Sequence, residues 1–191
     1  MRKKSNKKIF VISAPSGTGK TTIAAILRRK IPDLEPVISC TTRKPRPVEK
    51  NGVNYHFIAR ERFREMAKKK EFAEWAEVYG NLYGTPKKEI LAKLKKGNRI
   101  LLTLDTQGGI SIRRVFPSVV LIGILPPSNK EQERRIRNRS GLSEKELGER
   151  MASAREERRI LMDKYDFRLV NINLDSTVRK IRNIIDKGGK Y

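Results

Sequence analysis

One eight-residue stretch constrains this chain more than any other. Ala14-Pro15-Ser16-Gly17-Thr18-Gly19-Lys20-Thr21 follows a compact apolar run, Ile9–Ser13, and precedes a segment with Ile23, Ile26 and Leu27 at helical spacing. The pattern is that of a phosphate loop, GxxxxGK[ST], with Ala14 at the place of the first glycine. Chemistry explains the spacing. Successive backbone N–H groups must wrap around phosphate oxygens, which demands small residues and unusual dihedrals at Gly17 and Gly19. The helix N-terminus adds partial positive charge, Lys20 a mobile cation, and the Thr21 hydroxyl a ligand for Mg²⁺. Ala14 departs from the pattern, but a Cβ is tolerated where φ stays negative. Such a loop needs a strand feeding a helix and points to a phosphate-bearing ligand. It leaves the second substrate unnamed.

The rest of the chain alternates in the same manner. Strands are expected at 37–40, 100–105, 119–125 and 167–171, with helical patterns near 60–70, 86–96, 128–139, 143–162 and 174–186. Buried runs alternating with helices argue for an α/β fold with a mostly parallel sheet covered on both faces. At 191 residues the chain suits one domain with insertions. Two excursions interrupt the alternation: 41–86, rich in Arg, Pro, aromatics and Gly, and 128–159, an Arg/Glu-laced helical pair around a turn at Ser140-Gly141. Binding residues concentrate in such excursions.

Charge and composition exclude several classes. Lys plus Arg number 44 against 21 Asp plus Glu, a net charge of +23, which favours polyanionic partners or is simply a solvated basic surface. A single cysteine, Cys40, rules out an intrachain disulfide. The longest apolar run, 119–125, is far short of the roughly 20 residues of a membrane-spanning helix. The start of the chain, with basic residues through Lys8, lacks the apolar segment of a signal peptide and reads as a basic tail (1–7) on a cytoplasmic protein. His56 is the only histidine, so a His-based nucleophile system is excluded, and no Cys/His cluster supports a zinc site.

The segment from Ser39 to Pro47 holds Arg43 and Arg46 between prolines and is followed by Glu49, Gly52 and Tyr55-His56-Phe57. Prolines stiffen the loop and hold the guanidinium forks ready for a phosphate, with Tyr55 able to donate a further hydrogen bond. Alone, the segment reads equally as an exposed basic turn.

Six segments in order change that balance. They are the phosphate loop, 39–57, Glu71-Phe72-Ala73-Glu74-Trp75-Ala76, Gly80-Asn81-Leu82-Tyr83-Gly84-Thr85, Asp105-Thr106-Gln107-Gly108 and Leu125-Pro126-Pro127-Ser128. Together they resemble the guanylate kinase family over nearly the whole chain, from Ile9 to Ile185. The resemblance implies a P-loop nucleoside monophosphate kinase fold: a five-stranded parallel core (8–37, 91–125 and 157–186), a GMP-binding insertion (38–90) and a helical lid (126–156). It implies ATP bound by Ala14, Pro15, Ser16, Gly17, Thr18, Gly19, Lys20, Thr21 and Thr22 with Arg135 and Arg139 of the lid. It implies the GMP phosphate held by Arg43, Arg46, Tyr55 and Tyr83, and guanine read by Ser39, Glu74, Thr85 and Asp105. Lys20, Arg46, Arg135 and Arg150 would serve catalysis, and Mg²⁺ would accompany ATP at Thr21. Guanine presents N1–H and N2–H₂ donors and needs carboxylate acceptors, whereas adenine would leave those carboxylates unpaired.

Taken singly, these residues also have ordinary readings: Glu74 a solvated helix acid, Asp105 a strand-end cap, Tyr83 core packing. The chain also departs from the family pattern. Thr103 stands where an acid near the metal's water shell is usual, Cys40 replaces a Ser or His, and Ile172-Asn173 replaces an acidic pair. The implied reaction is transfer of the γ-phosphoryl group of ATP to GMP. An alternative is an inactive guanylate-kinase-like module that binds phosphopeptides, against which the intact phosphate loop argues. No specific nucleic-acid partner is expected, because no groove-reading or base-stacking motif accompanies the charge. No membrane partner is expected either, and self-association is left open.

Overall fold

The computed structural model describes residues 9–78, 80–137 and 143–190. In chain order the elements are β1 (Ile9–Ser13), α1 (Lys20–Lys30), β2 (Leu34–Pro36), β3 (Cys40–Thr41), β4 (His56–Phe57), α2 (Arg60–Lys68), β5 (Phe72–Val78) and β6 (Asn81–Pro86). There follow α3 (Lys87–Lys95), β7 (Arg99–Leu104), α4 (Thr106–Val115), β8 (Val120–Leu125), α5 (Asn129–Arg137), α6 (Glu144–Lys164), β9 (Phe167–Val170) and α7 (Leu174–Asp186). β1 is buried along its whole length, as a central strand must be when helices cover both faces of its sheet. It pairs in parallel with β7 on one side and β8 on the other, in a sheet of order β2-β7-β1-β8-β9.

Alternation along β1 divides the core in two. Phe10 and Ile12 pack with Leu27 of α1 and Val178 and Ile181 of α7, while Ile9 and Val11 pack with Ile112 of α4 and Leu161 of α6. The loop leaving β1 therefore opens at the carboxyl edge of the sheet, where ligands of α/β folds bind. A second, smaller sheet of order β4-β3-β6-β5 stands over that edge. Its own core joins Cys40, Phe63, Phe72 and Leu82, with the Phe63 and Phe72 rings stacked at 4.4 Å. Burial pushes the Cys40 thiol up to about 11, so it acts as a small apolar filler.

Several expectations need correction. Of the strand expected at 37–40 only Cys40 lies in one: β2 ends at Pro36, β3 begins at Cys40, and the two belong to different sheets. The long hairpin β5–β6 was not foreseen as strands. Nor was α4, which carries the poor helix formers Gly108 and Gly109. Tertiary packing overrides that propensity: a Cβ on Gly109 would lie 2.2 Å from the Tyr165 hydroxyl, so only glycine lets α4 approach. α6 runs two residues beyond the expected 162 and starts with a capping box between Ser143 and Glu146. Asn173, one of the departures from the family pattern, caps α7 by accepting a 3.0 Å bond from the Ser176 N–H. The turn at Ser140-Gly141 and Arg139 lie outside the described residues. Among those described, no helix is long and apolar enough to cross a membrane.

Candidate active site

The phosphate loop joins β1 to α1. Gly17 (φ 80°) and Gly19 (φ 94°) both take left-handed conformations that side chains resist, and Ala14 does not, which is why a Cβ is accepted there. The loop walls a cavity of about 470 Å³ lined by Ala14 through Thr22 together with Asp105, Arg135 and Glu157. Lys20 reaches across this cavity, and its ammonium donates a 2.8 Å hydrogen bond to the Leu104 carbonyl at the end of β7. Burial draws its pKa below the ordinary lysine value, while Asp105 and Glu157 pull the other way.

A second cavity of about 320 Å³ lies between the two sheets. Lys20, Ser39, Arg46, Tyr55, Glu74, Tyr83, Thr103, Asp105 and Arg150 are among its walls. Glu74 lies on β5 and not on a helix, so the reading of it as a solvated helix acid is wrong. Its Oε1 accepts a 2.5 Å hydrogen bond from the Thr85 hydroxyl, and Thr85 lies 3.3 Å from the Ser39 hydroxyl. Burial pushes the Glu74 carboxyl up to about 7 against the Thr85 bond, with Asp105 adding to the rise. Asp105 does what a strand-end residue does and more: its Oδ1 accepts from the Gly108 N–H at 2.7 Å, capping α4, while the side chain lines both cavities. Tyr55 and Tyr83 meet edge to face at 5.9 Å.

The two arginines of the proline-flanked segment differ. Arg46 lines the second cavity. Arg43 instead donates to Glu49 at 2.8 Å and to the Lys44 carbonyl at 2.7 Å, with its guanidinium over the Tyr55 and Phe57 rings. The Glu49 carboxylate also accepts from the Arg46 backbone N–H at 2.8 Å, so one acid holds the whole segment in shape. In the lid, Arg135 on α5 reaches the first cavity while donating to Glu131 at 2.8 Å, and Arg150 on α6 reaches the second. Neighbouring charges form helix-surface pairs such as Arg137–Glu133 and Arg159–Glu156. Thr103 faces the second cavity from β7.

Four residues of the site escaped the sequence reading. Glu157 of α6 lines the phosphate-loop cavity, and burial pushes its carboxyl up to about 7 despite Lys20. Gln132 donates to the Ser16 carbonyl at 3.0 Å, and Asn171 donates to the Thr18 carbonyl at 2.9 Å. Tyr165 donates to the Ser13 hydroxyl at 2.7 Å, which in turn donates to the Asp105 carbonyl at 3.0 Å. These partners lie far away in sequence, and no local motif announces them.

A parallel core with a phosphate loop at its carboxyl edge, facing an acid-and-arginine pocket across one lysine, defines the α/β P-loop kinases of nucleoside monophosphates. The comparisons narrow the class. A family model described as guanylate kinase matches residues 6–188. A guanylate kinase of Caldanaerobacter subterraneus subsp. tengcongensis is 45% identical over 177 residues, 93% of this chain and 85% of that protein. One from Prochlorococcus marinus subsp. pastoris is 42% identical over 182 residues, 95% and 98% of the two chains. The crystal structure of guanylate kinase from Anaplasma phagocytophilum superposes with a TM-score of 0.80 at 32% identity, covering 98% of this chain and 89% of that one. The chain belongs to the guanylate kinase family.

Proposed function

We propose that the phosphate-loop cavity takes ATP and the cavity between the sheets takes GMP, so that the chain moves the γ-phosphoryl group of ATP to GMP and releases ADP and GDP. The observation that carries this reading is the shared wall: Lys20 and Asp105 line both cavities. A donor phosphate on the loop and an acceptor phosphate near Arg46 and Tyr55 would meet beside Lys20. The GMP phosphate oxygen attacks the γ-phosphorus in line, and the bond to the ADP oxygen breaks. No protein nucleophile is required, because the acceptor is already an anion. Lys20, Arg46, Arg135 and Arg150 stabilise the charge on the transferring group, where preorganised cations act most strongly. Glu74 and Asp105 accept from guanine N1–H and N2–H₂, while the Ser39 and Thr85 hydroxyls complete the edge.

Thr21, Asp105 and Glu157 line the first cavity with oxygen donors, the chemistry that Mg²⁺ prefers. The Thr21 hydroxyl would hold the ion, which would supply positive charge to offset that of the donor phosphates. We assign the core to 8–37, 91–125 and 157–186, the GMP-binding insertion to 38–90 and the lid to 126–156. Closure of both insertions would exclude water and limit idle ATP hydrolysis. We assign the protein to the cytoplasm, where both nucleotides are available. The binding-module alternative is not favoured: the loop geometry is intact, and the curated relatives above carry the name of the enzyme.

A coupled ADP-release assay with GMP, AMP, CMP and UMP tests the reading. Rapid turnover confined to GMP is expected. Comparable rates with AMP would overturn the guanine assignment, and no rate with any of them would revive the binding module.

A further inference from the structure

A fully buried glutamine is uncommon, because both ends of its side chain need partners. Gln132 on α5 is 0% exposed and has them. Its Nε2 donates to the Ser16 carbonyl at 3.0 Å, and its Oε1 accepts from Arg158 Nη2 of α6 at 3.2 Å. The two partners dictate the orientation of the amide, since the nitrogen must face a carbonyl and the oxygen a guanidinium. One side chain thus ties α5, α6 and the phosphate loop together.

The tie has a consequence for the loop. In a trans peptide the C=O and the following N–H point to opposite sides. Holding the Ser16 carbonyl toward Gln132 therefore aims the Gly17 N–H away from α5. Asn171 does the same one step on: it holds the Thr18 carbonyl at 2.9 Å, which turns the Gly19 N–H away from Asn171. Gly17 and Gly19 both line the cavity, whereas Gln132 and Asn171 do not. Alternate carbonyls are fastened behind the loop, leaving the intervening N–H groups free to receive phosphate oxygens. α5 packs closely at this point, since a Cβ on Gly17 would lie 3.2 Å from Ile136 and 3.4 Å from Arg135 Cβ.

We propose that Gln132 is a positioning residue for the nucleotide donor: it holds the phosphate loop in its binding shape and, through Arg158, couples that shape to the placement of the lid helices. This rests on the assignment of the loop as the ATP site. The variant Gln132→Glu separates the two ends. It keeps the size and an acceptor for Arg158, but sets a carboxylate oxygen against the Ser16 carbonyl where a donor stood. Arg158→Met removes only the outer bond and leaves Gln132 packed.

Calorimetric titrations of ATP and of GMP, taken separately, with KM and kcat for each substrate, provide the test. Q132E should weaken ATP binding and raise KM for ATP by roughly five- to twentyfold, while GMP affinity stays within about twofold. R158M should move ATP affinity in the same direction by a smaller factor. ATP affinity within about twofold of the parent in folded Q132E overturns the proposal, as does a parallel loss for ATP and GMP, which marks a purely structural role. Should Q132E fail to fold, an R158M variant with unchanged ATP affinity overturns it. A parent protein that does not bind ATP overturns the site assignment itself, a result distinct from an unaffected variant.

Discussion

Replacing Glu74 by glutamine isolates the acceptor that guanine requires. The size is retained, and Gln Oε1 still accepts the Thr85 hydroxyl bond, which is 2.5 Å in the parent. The NH₂ group then occupies the position of Oε2, beside Gly108, where a Cβ would lie 3.2 Å away. Guanine's own N–H groups would meet a donor there. Losing one charge-assisted hydrogen bond in a buried site costs about 2–3 kcal/mol, or roughly two orders of magnitude in kcat/KM for GMP. The parent keeps this advantage only while Glu74 is ionised, and burial raises its pKa to about 7. At pH 8 the full factor should appear. At pH 6 only about a tenth of the free sites carry the carboxylate, so the factor should shrink about tenfold. Taking the ratio of variant to parent at each pH cancels the titration of the GMP phosphate. AMP, which offers an acceptor at N1, should lose far less and gain relative to GMP. Steady-state kinetics with both nucleotides from pH 6 to 8, beside thermal unfolding, give the answer. Equal losses for GMP and AMP, or a ratio that does not change with pH, would refute the reasoning.

Lys20→Ala should leave GMP binding nearly intact but lower the single-turnover rate by roughly two to three orders of magnitude, because a preorganised cation is lost from the transferring group; a rate near that of the parent would contradict this. Thr103→Asp should lower the Mg²⁺ concentration for half-maximal rate, since an acid is restored at the end of β7 beside Lys20 and Asp105, and a titration of rate against Mg²⁺ checks it. Glu157 has a folded-state pKa raised from 4.5 to about 7 by burial, so its stabilising contribution is full below about 4.5 and is lost as pH rises through 7. Glu157→Gln should accordingly raise the Tm at pH 8 more than at pH 5, as differential scanning calorimetry would show.

What the sequence by itself determined was local. The phosphate loop is contiguous from Ala14 to Thr21, and its glycines, lysine and hydroxyl must follow one another because one phosphate group is bound by successive peptide units. The alternation of buried runs with helices likewise placed β1, β7, β8 and β9 within a residue or so of where they lie. Ser39, Glu74 and Thr85 were legible only through the ordered resemblance, because nothing in their neighbourhoods distinguishes them from surface polar residues. What tertiary structure alone decided depends on contacts across the chain. Gln132 meets Ser16 across 116 residues, and Asn171 meets Thr18 across 153. α4 survives a Gly-Gly pair because Tyr165 needs the space. Arg43 and Arg46 look alike in sequence, yet Glu49 claims one guanidinium and leaves the other facing the cavity. A hydrogen bond depends on where two groups sit and how they are aimed, and only the packed sheets and helices bring groups from distant parts of the chain within its 3 Å reach.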